Sequence, residues 1–203
     1  MILIACAAGK ELEFFRPRPH VELLVTGIGP VEAAAAVSRA LAQGSYDYVI
    51  NAGIAGAFDG TADVGDAVVV SDDFLQLDLE TGAAIALPDG LRVIDRASSD
   101  LVLVDRLVEL GFRSVRGITV PRVTATDETA AKLAALGAGV ESMEGFAVLR
   151  AAEIAGVPAV EVRGISNVVC ERSRSRWDFA AGVRGAERIL DAVLSILGSV
   201  SVG

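Results

Sequence analysis

The stretch Gly139-Val-Glu-Ser-Met-Glu144-Gly-Phe-Ala-Val-Leu-Arg-Ala-Ala-Glu-Ile-Ala155-Gly-Val-Pro-Ala159-Val-Glu-Val-Arg-Gly-Ile-Ser-Asn167 decides the fold class. Gly139–Ser142 reads as a short strand. Gly145–Ala155 reads as a helix that stops at Gly156-Val-Pro, because glycine relieves the left-handed turn past a helix and proline cannot extend it. Ala159–Ser166 then reads as a second strand, apolar and rich in β-branched residues. One strand–helix–strand unit is therefore written into 29 residues. The same alternation runs outward in both directions. Ile2–Ala7, Val21–Thr26, Tyr48–Ala52, Ala67–Ser71 and Val115–Val120 have strand length and turn residues at their ends. Pro30–Leu41 has proline in its first turn, where its missing N–H costs nothing. Ser99–Leu110 carries Leu101, Val104, Leu107 and Val108 on one face, with Gly111 as its stop. Phe179–Leu197 places Phe179, Val183, Ala186, Leu190, Val193 and Leu197 at helical spacing. Near-continuous apolar strands suit a sheet covered on both faces. The expectation is an α/β fold, three layers of α/β/α around a central mixed sheet.

No linker, repeat or low-complexity tract interrupts this pattern, so residues 1–203 are expected to form one domain. Leu79–Arg92 is polar and punctuated by Gly and Pro, and reads as a surface excursion. Hydrophobic residues make up 52% and charged residues 22%, with mean hydropathy +0.51. A membrane helix does not follow from that surplus. The longest apolar candidate, Ala186 to Val202, is broken by Glu187, Arg188, Asp191 and Ser195, short of the roughly 20 clean residues a bilayer needs. Met1-Ile-Leu-Ile-Ala-Cys-Ala-Ala has no basic segment before it and reads as a first strand, not a signal peptide. A cytoplasmic protein with no membrane partner is expected.

The formal charge is −9, from 27 acids against 18 bases. A nucleic-acid binder needs a surplus of cations facing phosphates, so that class drops out. One histidine, His20, and two cysteines, Cys6 and Cys170, do not assemble a zinc constellation. The cysteines read as buried thiols, and neither a metal nor a cofactor is expected.

Four segments carry chemistry. Thr26-Gly-Ile-Gly-Pro-Val-Glu follows a strand and opens a helix, which suits a phosphate turn or a tight structural turn. Glu32 occupies the place of the third glycine of a dinucleotide fingerprint, which excludes a nicotinamide site. Asn51-Ala-Gly-Ile-Ala-Gly-Ala-Phe reads as a small-residue turn at a strand end, where a flat ring can approach the backbone. Glu141-Ser-Met-Glu144 sets two carboxylates inside an apolar run, so they must be satisfied or used. Arg163-Gly-Ile-Ser-Asn167 ends a strand on an amide that offers both donor and acceptor. Glu11, after the first strand, reads by itself as a solvated helix acid. Finally, Cys170–Asp178 gathers Arg172, Arg174, Arg176 and Trp177 into one loop of an otherwise acidic chain poor in aromatics.

Taken in order, Glu11, Gly27-Ile-Gly-Pro, Asn51-Ala-Gly-Ile-Ala-Gly with Val64-Gly-Asp66, Met143-Glu144 and Arg163-Gly-Ile-Ser-Asn167 resemble the nucleoside phosphorylase and nucleosidase superfamily over nearly the full chain. Within it, Ile165-Ser-Asn with Arg172 and Trp177 most resembles the futalosine hydrolases of menaquinone biosynthesis. The resemblance implies a nucleoside phosphorylase-like fold and hydrolysis of an N-glycosidic bond. It implies Glu11, Glu144 and Asn167 as catalytic residues: base for water, holder of the ribose hydroxyls, and stabiliser of the departing purine. It further implies Ala55, Gly56, Val123 and Thr124 around the base and Met143 against the sugar. The clustering of Arg172, Arg174 and Arg176 with Trp177 after Asn167 points to one of these arginines for the carboxylate of the substrate's aryl tail, with Trp177 stacked on its ring. Close relatives that cleave methylthioadenosine and S-adenosylhomocysteine have Asp where this chain has Asn167. An ionised Asp would face two acceptors on hypoxanthine, whereas an amide can donate to them. A nucleosidase for methylthioadenosine or S-adenosylhomocysteine, a phosphorylase and an inactive nucleoside-binding module are the alternatives. The Gly27-Ile-Gly-Pro turn offers a phosphate no cation, and the N-terminal segment only Lys10. Superfamily relatives are oligomers, so a homo-oligomer (dimer or tetramer) is expected.

Overall fold

In the computed structural model, which describes residues 1–79, 82, 83 and 85–200, eight strands and five α-helices alternate along the chain. The order is β1 (Ile2–Cys6), a 3-10 turn (Gly9–Leu12), β2 (Val21–Val25), α1 (Pro30–Gln43), β3 (Tyr48–Ala57) and β4 (Ala67–Leu75). Then follow β5 (Arg96–Ser98), α2 (Leu101–Glu109), β6 (Arg113–Thr119), α3 (Asp127–Ala135), β7 (Val140–Ser142), α4 (Gly145–Ala155), β8 (Ala159–Val168) and α5 (Phe179–Val200). Residues 80, 81 and 84 of the expected surface excursion lie outside the described residues. No helix among the described residues is long and apolar enough to cross a membrane.

The sheet is mixed. β1 runs parallel to β2 and β3, β8 is parallel to β3 and antiparallel to β4, and β6 is parallel to both β4 and β7. β7 closes back on β3 through Gly56 and Ala57. Strands β3, β8, β4, β6 and β7 therefore form a closed circuit, with β1–β2 as a wing and β5 as a short flap. Ala55, Ala57, Val68, Val70, Val140 and Ile165 from the strands of this ring pack together as one buried cluster. On one side, Leu103, Leu107, Ile189, Leu190 and Val193 of α2 and α5 cover the sheet. On the other, Ala33, Val37, Val148, Leu149 and Ala152 of α1 and α4 do so. These are the three layers expected, but the inward face of α2 differs from the one read from its spacing: Leu103, Val104 and Leu107 are buried, while Leu101 and Val108 face solvent.

Two departures matter for the site. The Gly53–Gly56 segment is not a turn: β3 runs on through it to Ala57. Gly53 and Gly56 lack side chains where Arg163, Glu11 and Asn167 press close, so the chain stays extended with β8 beside it. The second is α3, capped by the Thr126 side chain, which accepts from the Thr129 amide. Its cap and its acidic first turn were the available signals.

Candidate active site

A cleft of about 340 Å³ opens where the ends of β1, β3, β7 and β8 meet the start of α4. Of the expected site residues, Glu11, Ala55, Gly56, Val123, Met143, Glu144, Asn167 and Trp177 line it. The geometry thus gathers residues from across the chain.

Glu11 is brought there by the 3-10 turn after β1. Its Oε2 accepts from the Ala8 amide at 3.0 Å and its Oε1 from the Ile54 amide at 3.2 Å. Burial pushes its carboxyl above the ordinary range, against the pull of those two amides and of Arg163. It is not the solvated helix acid that its local sequence suggests. Gly53 must be glycine here, since a Cβ would lie 2.9 Å from Arg163 Nη1 and 3.0 Å from Glu11 Oε1.

Glu144 precedes the first turn of α4. Its Oε1 accepts from the Gly29 amide at 2.8 Å. Gly29 sits at φ 102°, a conformation that side-chain-bearing residues rarely adopt. The Gly27-Ile-Gly-Pro turn therefore spends its free amide on a protein carboxylate rather than on a phosphate. Ile28 at its tip is 66% exposed and lines the cleft.

Asn167 lies within β8, opposite Gly56 after a register shift. Its Oδ1 accepts from Ser166 Oγ at 2.8 Å, and its Nδ2 donates to the Val168 carbonyl at 3.3 Å. Exchanging O and N would set Oδ1 against the Val168 carbonyl oxygen, so that neighbour fixes the orientation. A Cβ on Gly56 would come within 3.0 Å of this Nδ2.

Thr124 and Arg172 stand behind the cleft wall and beside its mouth. Neither lines the cleft. Thr124 is buried and binds Glu141 twice, through its amide at 3.1 Å and through its hydroxyl. Glu141 does line the cleft, and burial raises its carboxyl despite those bonds. Arg172 instead lies 5.3 Å from the centroid of the Trp177 ring, while Arg174 pairs with Asp127. Trp177 is 46% exposed, so it belongs to the cleft mouth and not to the core.

Sequence reasoning did not assign Asp73, Glu161 or Arg163, which lie beneath the cleft at 0–1% exposure. Burial works against the Arg163 charge, yet Glu161, Glu144 and Glu11 around it raise the guanidinium above its ordinary value. A charged pair two residues apart on one apolar strand was the available sign. Cys6 is buried beside Glu11, its thiol pushed up to about 12 by burial first, and Cys170 is also free.

Comparison with known proteins places this geometry among relatives. The family model of the phosphorylase superfamily matches residues 8–197. The futalosine hydrolase of Streptomyces coelicolor is 36% identical over 176 residues, covering 77% of this chain and 71% of that protein. The futalosine hydrolase of Acidothermus cellulolyticus is 39% identical over 214 residues, covering 93% and 85%. A methylthioadenosine/S-adenosylhomocysteine nucleosidase from Neisseria meningitidis, solved with methylthio-immucillin-A, shares the fold at TM-score 0.78 and 18% identity. That superposition covers 95% of this chain and 97% of the other.

Proposed function

The chain belongs to the phosphorylase superfamily and is a hydrolase acting on N-glycosyl bonds, and on that premise we propose that it cleaves futalosine, releasing hypoxanthine and dehypoxanthine futalosine in menaquinone biosynthesis. The observation that carries this reading is the Asn167 amide in the cleft wall, whose oxygen is engaged by Ser166 Oγ and whose nitrogen keeps a second N–H beyond the one given to the Val168 carbonyl. Such a donor suits the carbonyl and N7 acceptors of a 6-oxopurine. Relatives named futalosine hydrolases support the same substrate.

The bond breaks through an oxocarbenium-like sugar and a purine gaining negative charge. Glu11 takes the proton from the attacking water. Its raised proton affinity makes it a stronger base once ionised, and the Ala8 and Ile54 amides hold it in place. Glu144, anchored through Oε1, presents Oε2 to the ribose hydroxyls, with Met143 against the sugar. Asn167 stabilises charge on the departing hypoxanthine, with Ala55 and Gly56 flanking the ring. Ile28, Val123, Trp177 and Phe179 form an apolar mouth for the aryl tail. Arg172, stacked on Trp177, meets the tail's carboxylate. Water rather than phosphate is the nucleophile: among the described residues no Lys, Arg or His lines the cleft, and three carboxylates, Glu11, Glu141 and Glu144, do. The enzyme works in the cytoplasm as a homo-oligomer.

The test is incubation with futalosine, inosine and methylthioadenosine, each with and without phosphate, followed by chromatography of the released base. Hypoxanthine from futalosine without phosphate is expected. Release of adenine alone, or a need for phosphate, overturns the reading. Trp177→Ala should slow futalosine cleavage far more than inosine cleavage, and equal losses remove the tail assignment.

A further inference from the structure

One layer beneath the cleft, Asp73 of β4 and Glu161 of β8 are both fully buried. Each carboxyl has one oxygen satisfied. Asp73 Oδ1 accepts from Thr119 Oγ1 at 2.8 Å, and Glu161 Oε1 accepts from Arg163 Nε at 2.8 Å. The other two, Asp73 Oδ2 and Glu161 Oε2, have no N–H or hydroxyl donor among the described residues. Both converge on Gly145, where a Cβ would collide with Asp73 Oδ2 and stand 2.5 Å from each Glu161 oxygen. The two carboxyls thus meet each other, with no side chain between them. Two bare carboxylate oxygens facing each other out of water repel strongly, whereas one proton between them makes a short, strong hydrogen bond.

We propose that Asp73 is a protonated acid whose Oδ2 donates to Glu161 Oε2, and that this acid pair positions Glu144 and balances Arg163 beneath Glu11. Asp73 keeps the proton because its only other partner is a hydroxyl, while Glu161 is held charged by the guanidinium. Burial first, then the charge of Glu161, drives Asp73 well above the ordinary carboxylate range. The groups that act on the pair are few: Arg163 from β8, Thr119 from β6, Glu144 at the head of α4 and the backbone of α4.

The pair reaches the cleft by two routes. Thr119 Oγ1 donates to Asp73 and accepts from the Phe146 amide at 2.7 Å. Arg163 Nη2 approaches Ser142 Oγ at 3.4 Å, and that oxygen also accepts from the Gly145 amide at 3.2 Å. Gly145 and Phe146 follow Glu144 directly, so both ends of the buried chain hold the turn that aims it. With Asp73 neutral, Glu161 alone neutralises Arg163 Nε, and the guanidinium is left to face Glu11 and Glu144. Asp73 and Glu161 are positioning residues, since neither lines the cleft.

The proposal rests on the roles given above to Glu11 and Glu144, but its first readout does not. Infrared spectra of the full chain at neutral pH, with and without carboxyl-labelled aspartate, should show one protonated-carboxyl stretch that shifts on labelling and vanishes in Asp73→Asn. Absence of that band overturns the pair whatever the enzyme cleaves. For activity, Asp73→Asn keeps a donor for Glu161 and an acceptor for Thr119, so kcat on the substrate turned over should stay within about threefold. Asp73→Leu strips both and should lower kcat by about 10- to 100-fold with little change in KM. Equal loss in both variants overturns the positioning role. If Asp73→Leu does not fold, the band together with the kcat of Asp73→Asn decides the matter.

Discussion

Glu11 and Asn167 carry the two halves of the chemistry, and each predicts a distinct failure. Replacing Glu11 by Gln keeps its length but removes the base, so kcat should fall by about 10²- to 10⁴-fold while KM moves little. Because burial raises the Glu11 carboxyl, and it must be ionised to take a proton from water, the acid limb of kcat/KM should lie above the ordinary carboxylate range. The Gln variant should lose that limb; an unchanged profile would remove Glu11 from the reaction. Asn167→Asp sets an acceptor against the acceptors of hypoxanthine. The preference for hypoxanthine-bearing over adenine-bearing nucleosides should drop by about 10- to 100-fold, as expected for one buried unpaired polar group. A ratio of kcat/KM values that does not move would place specificity elsewhere. Glu144 and Asn167 were legible because they break apolar runs. Glu161 and Arg163 break the apolar β8 in the same way, but their partner Asp73 comes from β4, so the sequence showed the pair without the buried network it belongs to.

At the scale of elements, the apolar rhythm of most strands and helices was readable. The short β5 and the weakly apolar α3 were not, and on α2 the buried face includes Leu103 in place of Leu101 and Val108. What local pattern does not carry is which strands close the ring, because pairing between β3 and β7 brings together residues 85 positions apart, Gly56 and Glu141. Nor does it show where a strand continues through glycines, as β3 does past Gly53. The contact of β8 with α5 makes that dependence testable. A Cβ on Gly164 would run into the Gly182 carbonyl and the Ala186 amide of α5, with the Gly182 carbonyl carbon at 2.9 Å. These are backbone atoms and cannot swing aside. Gly164→Ala should therefore cost about 1–3 kcal/mol, lowering Tm by roughly 2–4 °C per kcal/mol in a domain of this size. Asn167 sits three residues further along β8, so kcat/KM should fall along with Tm. Thermal melts beside steady-state rates check both; an unchanged Tm would mean that α5 yields.

For the whole molecule, the surplus of apolar residues is only partly absorbed by the three layers. Val31 on α1 remains 76% exposed and Ile154 on α4 72%. Between them runs a groove lined by Ala34, Phe146 and Ala151. Exposed aliphatics gathered along two adjacent helices are costly in water, unlike single scattered ones. The patch also continues into the cleft mouth, since Ile28 lies two residues before Pro30 of α1. If the proposed homo-oligomer forms through this face, a second copy covers it and the cleft mouth lies at its edge. Sedimentation of the wild-type chain at micromolar concentration should then give a dimer or larger species. The double variant Val31→Glu/Ile154→Glu adds two charges per chain to an interface between subunits that already carry −9 each, and like charges brought together there oppose association. It should sediment as a monomer with an unchanged far-ultraviolet spectrum, because both positions point away from the core. Its activity should fall with Ile28 now facing water. A wild-type monomer, or a double variant that still associates, would assign the patch another role.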